Sequence, residues 1–142
     1  MTQSIKVALA QLNPKVGDVL GNLAKVRAAR AEAAKQGADL VLTAELVLAG
    51  YFPEDLVLKP SFVKRCHEAV EALRADTRDG GPALFVATPW HEDGKLYNAI
   101  ICLDKGEIVE TGTHAELLAK DGVFAKLVET QTHINEIIGY SG

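Results

Sequence analysis

The stretch from Leu96 to Gly112, LYNAIICLDKGEIVETG, constrains the fold of this chain more than any other part of it. Two apolar runs, Ala99–Leu103 and Ile108–Val109, flank the polar connection Asp104-Lys105-Gly106. A glycine at the end of such a connection supplies the positive φ that a tight hairpin turn needs. The pattern therefore predicts a β-hairpin, and with it antiparallel strand pairing in the second half of the chain.

Before this hairpin, strand-like and helix-like segments alternate. Apolar runs of strand length predict strands at Ile5–Leu12, Leu40–Leu42 and Ala83–Thr88, the last one ended by Pro89-Trp90. Apolar residues at helical spacing predict helices from Asn22, as the N-cap, to about Gln36 and from Ser61 to about Thr77, and two further helices after a capping box at Thr113–Glu116. The predicted fold is α/β, a mixed β-sheet of about five strands in the order β-α-β-α-β-β-β-α-α with helices packed on it.

The two long helices each have a predicted core face. In the first helix it comprises Leu23, Val26, Ala29, Ala33 and Ala34, and Arg27, Arg30 and Lys35 lie off this stripe. In the second helix it comprises Phe62, Cys66, Ala69, Val70 and Leu73. These faces are expected to bury against the sheet.

Length and charge limit the classes of partner. A chain of 142 residues is expected to form a single domain, 1–142. The net charge of −4 and the absence of a basic run argue against nucleic acid and against an anionic membrane surface as partners. No apolar stretch reaches the roughly 18 residues of a membrane span, and no signal-peptide pattern opens the chain. A cytoplasmic location is the expectation.

Cys66 and Cys102 are the two cysteines of the chain, and they are not spaced as a CxxC motif. Both lie in apolar segments, so they are interpreted as buried free thiols in a reducing compartment. A disulfide or a shared metal remains the alternative interpretation.

Three stretches of the first hundred residues resemble one enzyme family. ALAQLNPKVGDVLGNLAKVRAARAEAAKQGADLV, GYFPEDLVLKPSF and TPWHEDGKLYNA are similar to the start of the nitrilase-type glutaminase domain of glutamine-dependent NAD synthetases, over about residues 5–104. This resemblance implies a half of the family's four-layer α-β-β-α sandwich. It also implies hydrolysis of the amide of glutamine through a thioester, by a Glu, a Lys and a Cys.

Of that catalytic set, only the Glu has a counterpart, which is Glu45. The surrounding family pattern, Phe-Pro-Glu-Leu, is replaced here by Thr43-Ala44-Glu45-Leu46, and Phe52 stands where proline is common. The Lys and the nucleophilic Cys of the family lie further along, and no motif of this chain matches theirs. Glu45 is therefore predicted as a vestigial catalytic residue.

A second resemblance covers about residues 100–131. The stretch IICLDKGEIVETGTHAELLAKDGVFAKLVETQ resembles the last segment of the nucleotide-binding domain of ABC transporters. No phosphate-cradling GxxxxGK[ST] loop accompanies it, so no nucleotide and no cofactor are predicted. His114 is interpreted as a solvated residue at a helix start, and His67, His91 and His133 as surface residues without metal-ligand spacing.

Two families meeting inside one hairpin predict an engineered chimera, joined near residue 104, that acts as an α/β scaffold without catalytic activity. The rival hypotheses are a remnant glutamine amidase and a binding or self-association module. In the first interpretation the C-terminal helices complete the half-sandwich through an apolar stripe of Phe124, Leu127, Val128, Ile134 and Ile138. A homodimer through the sheet face or the C-terminal helix is the alternative way to cover that face.

Overall fold

The computed structural model describes residues 4–122, 124–126 and 129, and at His114 the backbone alone. The strands are β1 (Val7–Ala10), β2 (Leu40–Thr43), β3 (Ala83–Glu92), β4 (Lys95–Asp104) and β5 (Glu107–Gly112). The helices are α1 (Val19–Lys35), α2 (Pro60–Asp76) and α3 (His114–Ala119), with short 3-10 helices at Glu54–Leu58 and Thr77–Asp79. Most of the final predicted helix lies outside the described residues.

The five strands form one sheet, in the order β1-β2-β3-β4-β5. The first three strands are parallel and the last two pairings are antiparallel. This arrangement confirms the predicted α/β fold with a mixed five-stranded sheet. Parallel pairing follows from the helical crossovers α1 and α2, and antiparallel pairing from the two hairpins.

The core lies between α1, α2 and one face of the sheet. All five residues of the predicted α2 face are buried, including Phe62 and Leu73. From the sheet, Val41, Val86 and Ile101 belong to the same buried cluster. Alternation along the strands sends their neighbours Leu42, Phe85 and Ile100 to the opposite face, which carries a second, smaller cluster.

The β4–β5 hairpin follows the predicted turn chemistry, and the β3–β4 hairpin has the same turn geometry. Lys105 and Gly106, between β4 and β5, have φ values of 50° and 77°. Asp93 and Gly94, between β3 and β4, have φ values of 51° and 73°. Two consecutive positive φ values match the twist of the flanking strands, which is why Asp-Gly and Lys-Gly pairs occupy these positions. The predicted capping box at Thr113 and Glu116 is also present.

β3 does not end at Thr88 as predicted, but runs through Pro89 to Glu92. Pro89 pairs in register with Asn98 of β4, whereas the pairing of β3 with β2 ends at Phe85. At Pro89 the strand therefore has a neighbour on one side only, and a residue without an N–H is tolerated there.

Arg30 is buried, so its predicted position off the core stripe of α1 is wrong. Its guanidinium donates to the Pro82 carbonyl at 2.9 Å and to both carboxylate oxygens of Asp79 at 3.0 and 2.8 Å. The hydrogen bonds from Arg30 are the main cause that lowers the pKa of Asp79 to about 2. A buried guanidinium is stable here because it is paired and hydrogen-bonded.

Asn22 is not the cap of α1, as the sequence predicts, but lies inside the helix and is fully buried. The capping residue is Asp18, whose carboxylate accepts the Gly21 N–H. The Asn22 side chain accepts the Lys15 N–H at 2.7 Å and donates to the carbonyls of Lys15 and Leu48 at 2.8 and 3.0 Å. One amide thus joins the loop before α1 to the loop after β2.

We predict that Asn22→Ala lowers the free energy of unfolding by about 2 kcal/mol or more, because it leaves backbone groups of two loops without their partner. Urea unfolding followed by circular dichroism measures the loss. Asn13→Ala, at an exposed asparagine of the first loop, is the matched control and should change stability little. Equal stabilities for the two variants would contradict this role for Asn22.

The same pair of loops meets at Gly50. Its φ is +82°, and a Cβ built there lies 2.6 Å from Val16 Cα. Gly80 has a similar φ of +76° but open space around its Cβ position. Substitutions at these two glycines therefore distinguish the cost of a positive φ, which both share, from the cost of steric overlap, which only Gly50 has.

Gly80→Ala should cost about 1 kcal/mol through its positive φ alone. Gly50→Ala should cost clearly more, because backbone atoms of Val16 must also move. Thermal melts of both variants make the comparison. A melting temperature for Gly50→Ala equal to or above that of Gly80→Ala would show that the loops can separate without loss.

Candidate functional site

Glu45 follows the carboxyl end of β2 and is exposed. It lies at the edge of a cavity of about 450 Å³ on the sheet face that α1 and α2 do not cover. The other lining residues come from β2, β3, β4 and the start of the C-terminal segment: Leu42, Thr43, Phe85, Ala87, Asn98, Ile100 and Phe124. The cavity thus has apolar walls with a carboxylate and an amide at one edge.

Asn98 of β4 holds the Glu45 side chain. Its Nδ2 donates to Glu45 Oε1 at 3.0 Å, and within the described part of the chain no cation forms an ion pair with this carboxylate. The neighbouring Thr43 hydroxyl donates to the Phe85 carbonyl at 2.8 Å, which fixes the end of β2 against β3. One oxygen of Glu45 is therefore oriented by an amide, and the carboxylate remains open to the cavity and to solvent.

The backbone after Glu45 is fixed by packing. Val47, Leu48 and Ala49 are fully buried, and the Leu48 carbonyl accepts from Asn22. Gly17 N–H donates to the Ala49 carbonyl at 3.0 Å. The loop is thus anchored beyond Glu45, which itself is exposed at the edge of the cavity.

Neither cysteine completes a nucleophilic site with Glu45. Cys66 is buried on α2, in the core on the other side of the sheet. Cys102 is on the cavity side of β4 but is itself buried, packed with Phe85. The prediction of two buried free thiols is confirmed.

The electrostatics of the two thiols point the same way. Burial raises the pKa of Cys66, only partly opposed by a hydrogen bond with Thr88. Burial, with the carboxylates of Glu110 and Asp104, raises the pKa of Cys102 to about 12. Since the thiolate is the nucleophilic form, neither group has the chemistry of an activated catalytic cysteine.

The histidines do not form a metal centre in the described residues, where no group of three or more His, Cys, Asp or Glu side chains is placed to hold an ion. His67 is not a plain surface residue, because its ring stacks on Trp90 at 3.7 Å and its Nε2 accepts the His91 N–H at 3.3 Å. Burial, followed by the charge of His91, lowers the pKa of His67, and Glu71 opposes the shift. His133 lies outside the described residues.

The chain belongs to the carbon-nitrogen hydrolase family, which it matches over residues 6–131. It is 41% identical over 109 residues to the glutamine-dependent NAD(+) synthetase of Rhodobacter capsulatus, covering 77% of this chain and 20% of that protein. The chain spans about a fifth of the length of such curated relatives.

Solved structures agree with this family. The glutamine-dependent NAD+ synthetase from Acinetobacter baumannii superposes with a TM-score of 0.72 and 32% identity, over 78% of this chain and 21% of that one. An amidase from Nesterenkonia sp. superposes with a TM-score of 0.69 and 30% identity, over 77% of this chain and 42% of that one. The nitrilase-like fold and the resemblance to NAD synthetases are therefore confirmed.

The interpretation as an engineered, catalytically inert chimera is wrong. The family match continues through residue 131, across the hairpin where the junction was predicted. A single family therefore accounts for the β4–β5 hairpin and the start of the C-terminal segment. The hairpin is a regular part of the sheet, paired to β3 through β4, and its turn follows from local φ preferences.

The sequence singles out Glu45, whose catalytic role stays a prediction, but not its hydrogen-bond partner Asn98. The signal was available in the hairpin, because alternation along β4 places Asn98 on the same face as Ile100 and Cys102. A polar residue on an otherwise apolar face indicates a partner or a site.

Among the helices of the described ranges, none combines the length and the apolar character that a membrane span requires.

We predict that both thiols resist alkylation in the folded chain. A pKa of about 12 leaves about one part in ten thousand of Cys102 as thiolate at pH 8. Mass spectrometry after brief exposure to iodoacetamide should find the folded chain unmodified and the chain in guanidinium modified twice. Rapid modification of the folded chain at Cys102 would contradict its burial and would show that this thiol is accessible from the cavity.

The lowered pKa of His67 predicts a loss of stability in acid. The unfolded chain takes up this proton first, near the ordinary pKa of about 6.5, so the free energy of unfolding falls as the pH drops from there towards the lowered folded value. His67→Phe keeps a ring on Trp90 without a titrating group, and should weaken the pH dependence between pH 7 and pH 5. His91→Gln removes the smaller of the two causes that lower this pKa and leaves His67 buried, so it should retain most of the pH dependence. Identical pH dependence in wild type and His67→Phe, from urea unfolding at both pH values, would contradict the assignment.

Proposed function

We propose that this chain forms the first part of an amide-hydrolysing carbon-nitrogen hydrolase domain, in which Glu45 is the carboxylate of the site. The observation that carries the proposal is the position of Glu45, at the edge of an open cavity with Asn98 donating to one of its oxygens. Family membership supports the reaction class. Glutamine or a small primary amide is the proposed substrate, in keeping with the relatives named as glutamine-dependent synthetases and as an amidase.

Glu45 suits the role of a general base. A carboxylate next to the reacting group can take the proton of a thiol or water as it attacks the amide carbon. Asn98 fixes the rotamer of Glu45 and leaves the second oxygen to meet that proton. The apolar side chains of Leu42, Phe85 and Ile100 would form the wall beside the bound amide.

The nucleophile has to come from elsewhere, because both cysteines of this chain are buried with raised pKa values. In a mutant of the Nesterenkonia amidase, the acetamide moiety of fluoroacetamide is covalently added at the active site cysteine. We propose that a comparable thiol, and a cation for Glu45, belong to sequence beyond this segment. The role of this chain is then to supply the base and one wall of the amide site.

The test is binding of amides by the intact chain, measured by NMR in ¹⁵N-labelled protein. Acetamide and L-glutamine should shift the side-chain NH₂ signals of Asn98 and the backbone signals around Glu45, and the shifts should saturate. Acetate, which lacks the amide donor and carries a negative charge, should leave them in place.

Glu45→Gln is the decisive variant, because it keeps an oxygen that accepts from Asn98 and removes the charge. We expect amide binding to weaken severalfold in this variant, since an ionised acceptor forms the stronger hydrogen bond. Glu68→Gln, the same change at an exposed position of α2, should bind as wild type. Amide shifts that are absent, or that survive Glu45→Gln unchanged, would overturn the proposal.

A further inference from the structure

A second cavity lies on the sheet face that α2 covers, opposite the face that carries Glu45. It has a volume of about 260 Å³ and is bordered by the ends of β3 and β5, the first half of β4, and α3. Two of its lining residues, Trp90 and Ala99, are part of the core beneath α2 or pack against that core. This cavity is therefore separate from the one beside Glu45.

Two aromatic rings form one wall of the second cavity. Trp90 of β3 pairs in register with Tyr97 of β4, so both side chains leave the sheet on the same face. The Trp90 ring is held from α2, where the His67 ring stacks on it at 3.7 Å between centroids with an interplanar angle of 11°. Next to Tyr97 on this face of β4 is Ala99, whose small side chain leaves space beside the rings. Both rings are only partly buried, so they are available to a ligand in the cavity.

Two carboxylates give the second cavity its charge. Within the described part of the chain, neither Glu92 nor Glu116 forms an ion pair. Glu116 Oε1 accepts the Thr113 N–H of the capping box at 3.4 Å. Among the described lining residues Lys120 is the one cation, and its Nζ donates to the Thr111 carbonyl at 2.5 Å. The cavity therefore combines two aromatic rings with an excess of negative charge.

We propose that this second cavity binds a small organic cation, a substituted ammonium ion of about the size of choline. The faces of Trp and Tyr rings attract an alkylated ammonium group through their quadrupoles, and Glu92 and Glu116 supply the opposite charge. The volume lies below the range of about 300–1,000 Å³ that is usual for drug-sized ligands, which limits the ligand to a small molecule. Because this site is on the other face of the sheet from Glu45, the inference does not rest on the proposed amide hydrolysis.

The experiment is a titration of the intact chain with choline at constant ionic strength, followed by the fluorescence of Trp90. Trp90 is the one tryptophan of the chain, so its emission reports on this cavity alone. We expect a saturable change with choline. The matched control is 3,3-dimethylbutan-1-ol, which has the shape of choline without its charge, and it should bind about fivefold more weakly or less. Equal binding of the two compounds, or no saturable change with choline, would overturn the proposal.

Glu92→Gln combined with Glu116→Gln tests the carboxylates. Glutamine also serves at the position of Glu116 in a capping box, so this variant keeps the cap of α3. We expect choline binding to weaken severalfold. Glu107→Gln, at an exposed glutamate of β5 outside the cavity lining, should bind as wild type. Choline binding that is unchanged in the double variant would contradict the site.

Tyr97→Leu tests the aromatic wall and leaves the Trp90 signal in place. It should weaken the binding of choline more than that of the neutral compound, because only the cation gains from the ring quadrupole. If this variant does not fold, the double variant and the neutral compound decide alone. Choline binding that is lost in Glu45→Gln would assign the ion to the other cavity and would also overturn the proposal.

Discussion

The buried side-chain amide of Asn22 is the contact on which the geometry of this molecule depends. It satisfies backbone groups of the loop before α1 and of the loop after β2 at the same time. Gly50 allows those loops to approach, because any Cβ there would overlap the backbone of Val16. The position of Glu45 depends on this contact, since its loop is hydrogen-bonded to Asn22 through the Leu48 carbonyl. A polar group in the core thus determines where the exposed carboxylate stands.

Local chemistry made most of the fold predictable. Local sequence determines the backbone conformation at two turns and one helix cap, and all three are present: Asp93-Gly94, Lys105-Gly106 and the capping box at Thr113. The α2 face was predictable because its apolar residues recur at helical spacing. The positions of three residues were not predictable, because each depends on a part of the chain that is distant in sequence. Arg30 is buried by its pairing with the Asp79 carboxylate, and Asn22 by its hydrogen bond to the Leu48 carbonyl. Pro89 is tolerated in β3 because the pairing with β2 has already ended. Contacts between residues distant in sequence override local conformational preferences, and residue spacing does not predict such contacts.

The candidate site was also predictable only in part, because one of its two polar residues is distant in sequence from the other. Glu45 could be found from the family pattern around it, whereas Asn98 acts from β4, 53 positions away. The chimera interpretation failed because a turn and a capped helix look alike in unrelated families: both obey the same backbone rules. The Glu45 carboxylate and the two cysteine thiols lie in clearly different environments. Glu45 is exposed and accepts a hydrogen bond from Asn98, whereas both thiols are buried and have raised pKa values.

The order of strands in space is the order of strands along the chain. Each strand pairs with the one made just before it, so no strand has to wait for a later one to be inserted between it and its neighbour. As the chain leaves the ribosome, the sheet can therefore grow by addition at one edge, with α1 and α2 closing over it as they appear. The entropic cost of each closure is that of one crossover or one hairpin, and never that of the whole chain. A route of successive local steps is therefore open to this fold, even though three of its five strands are parallel.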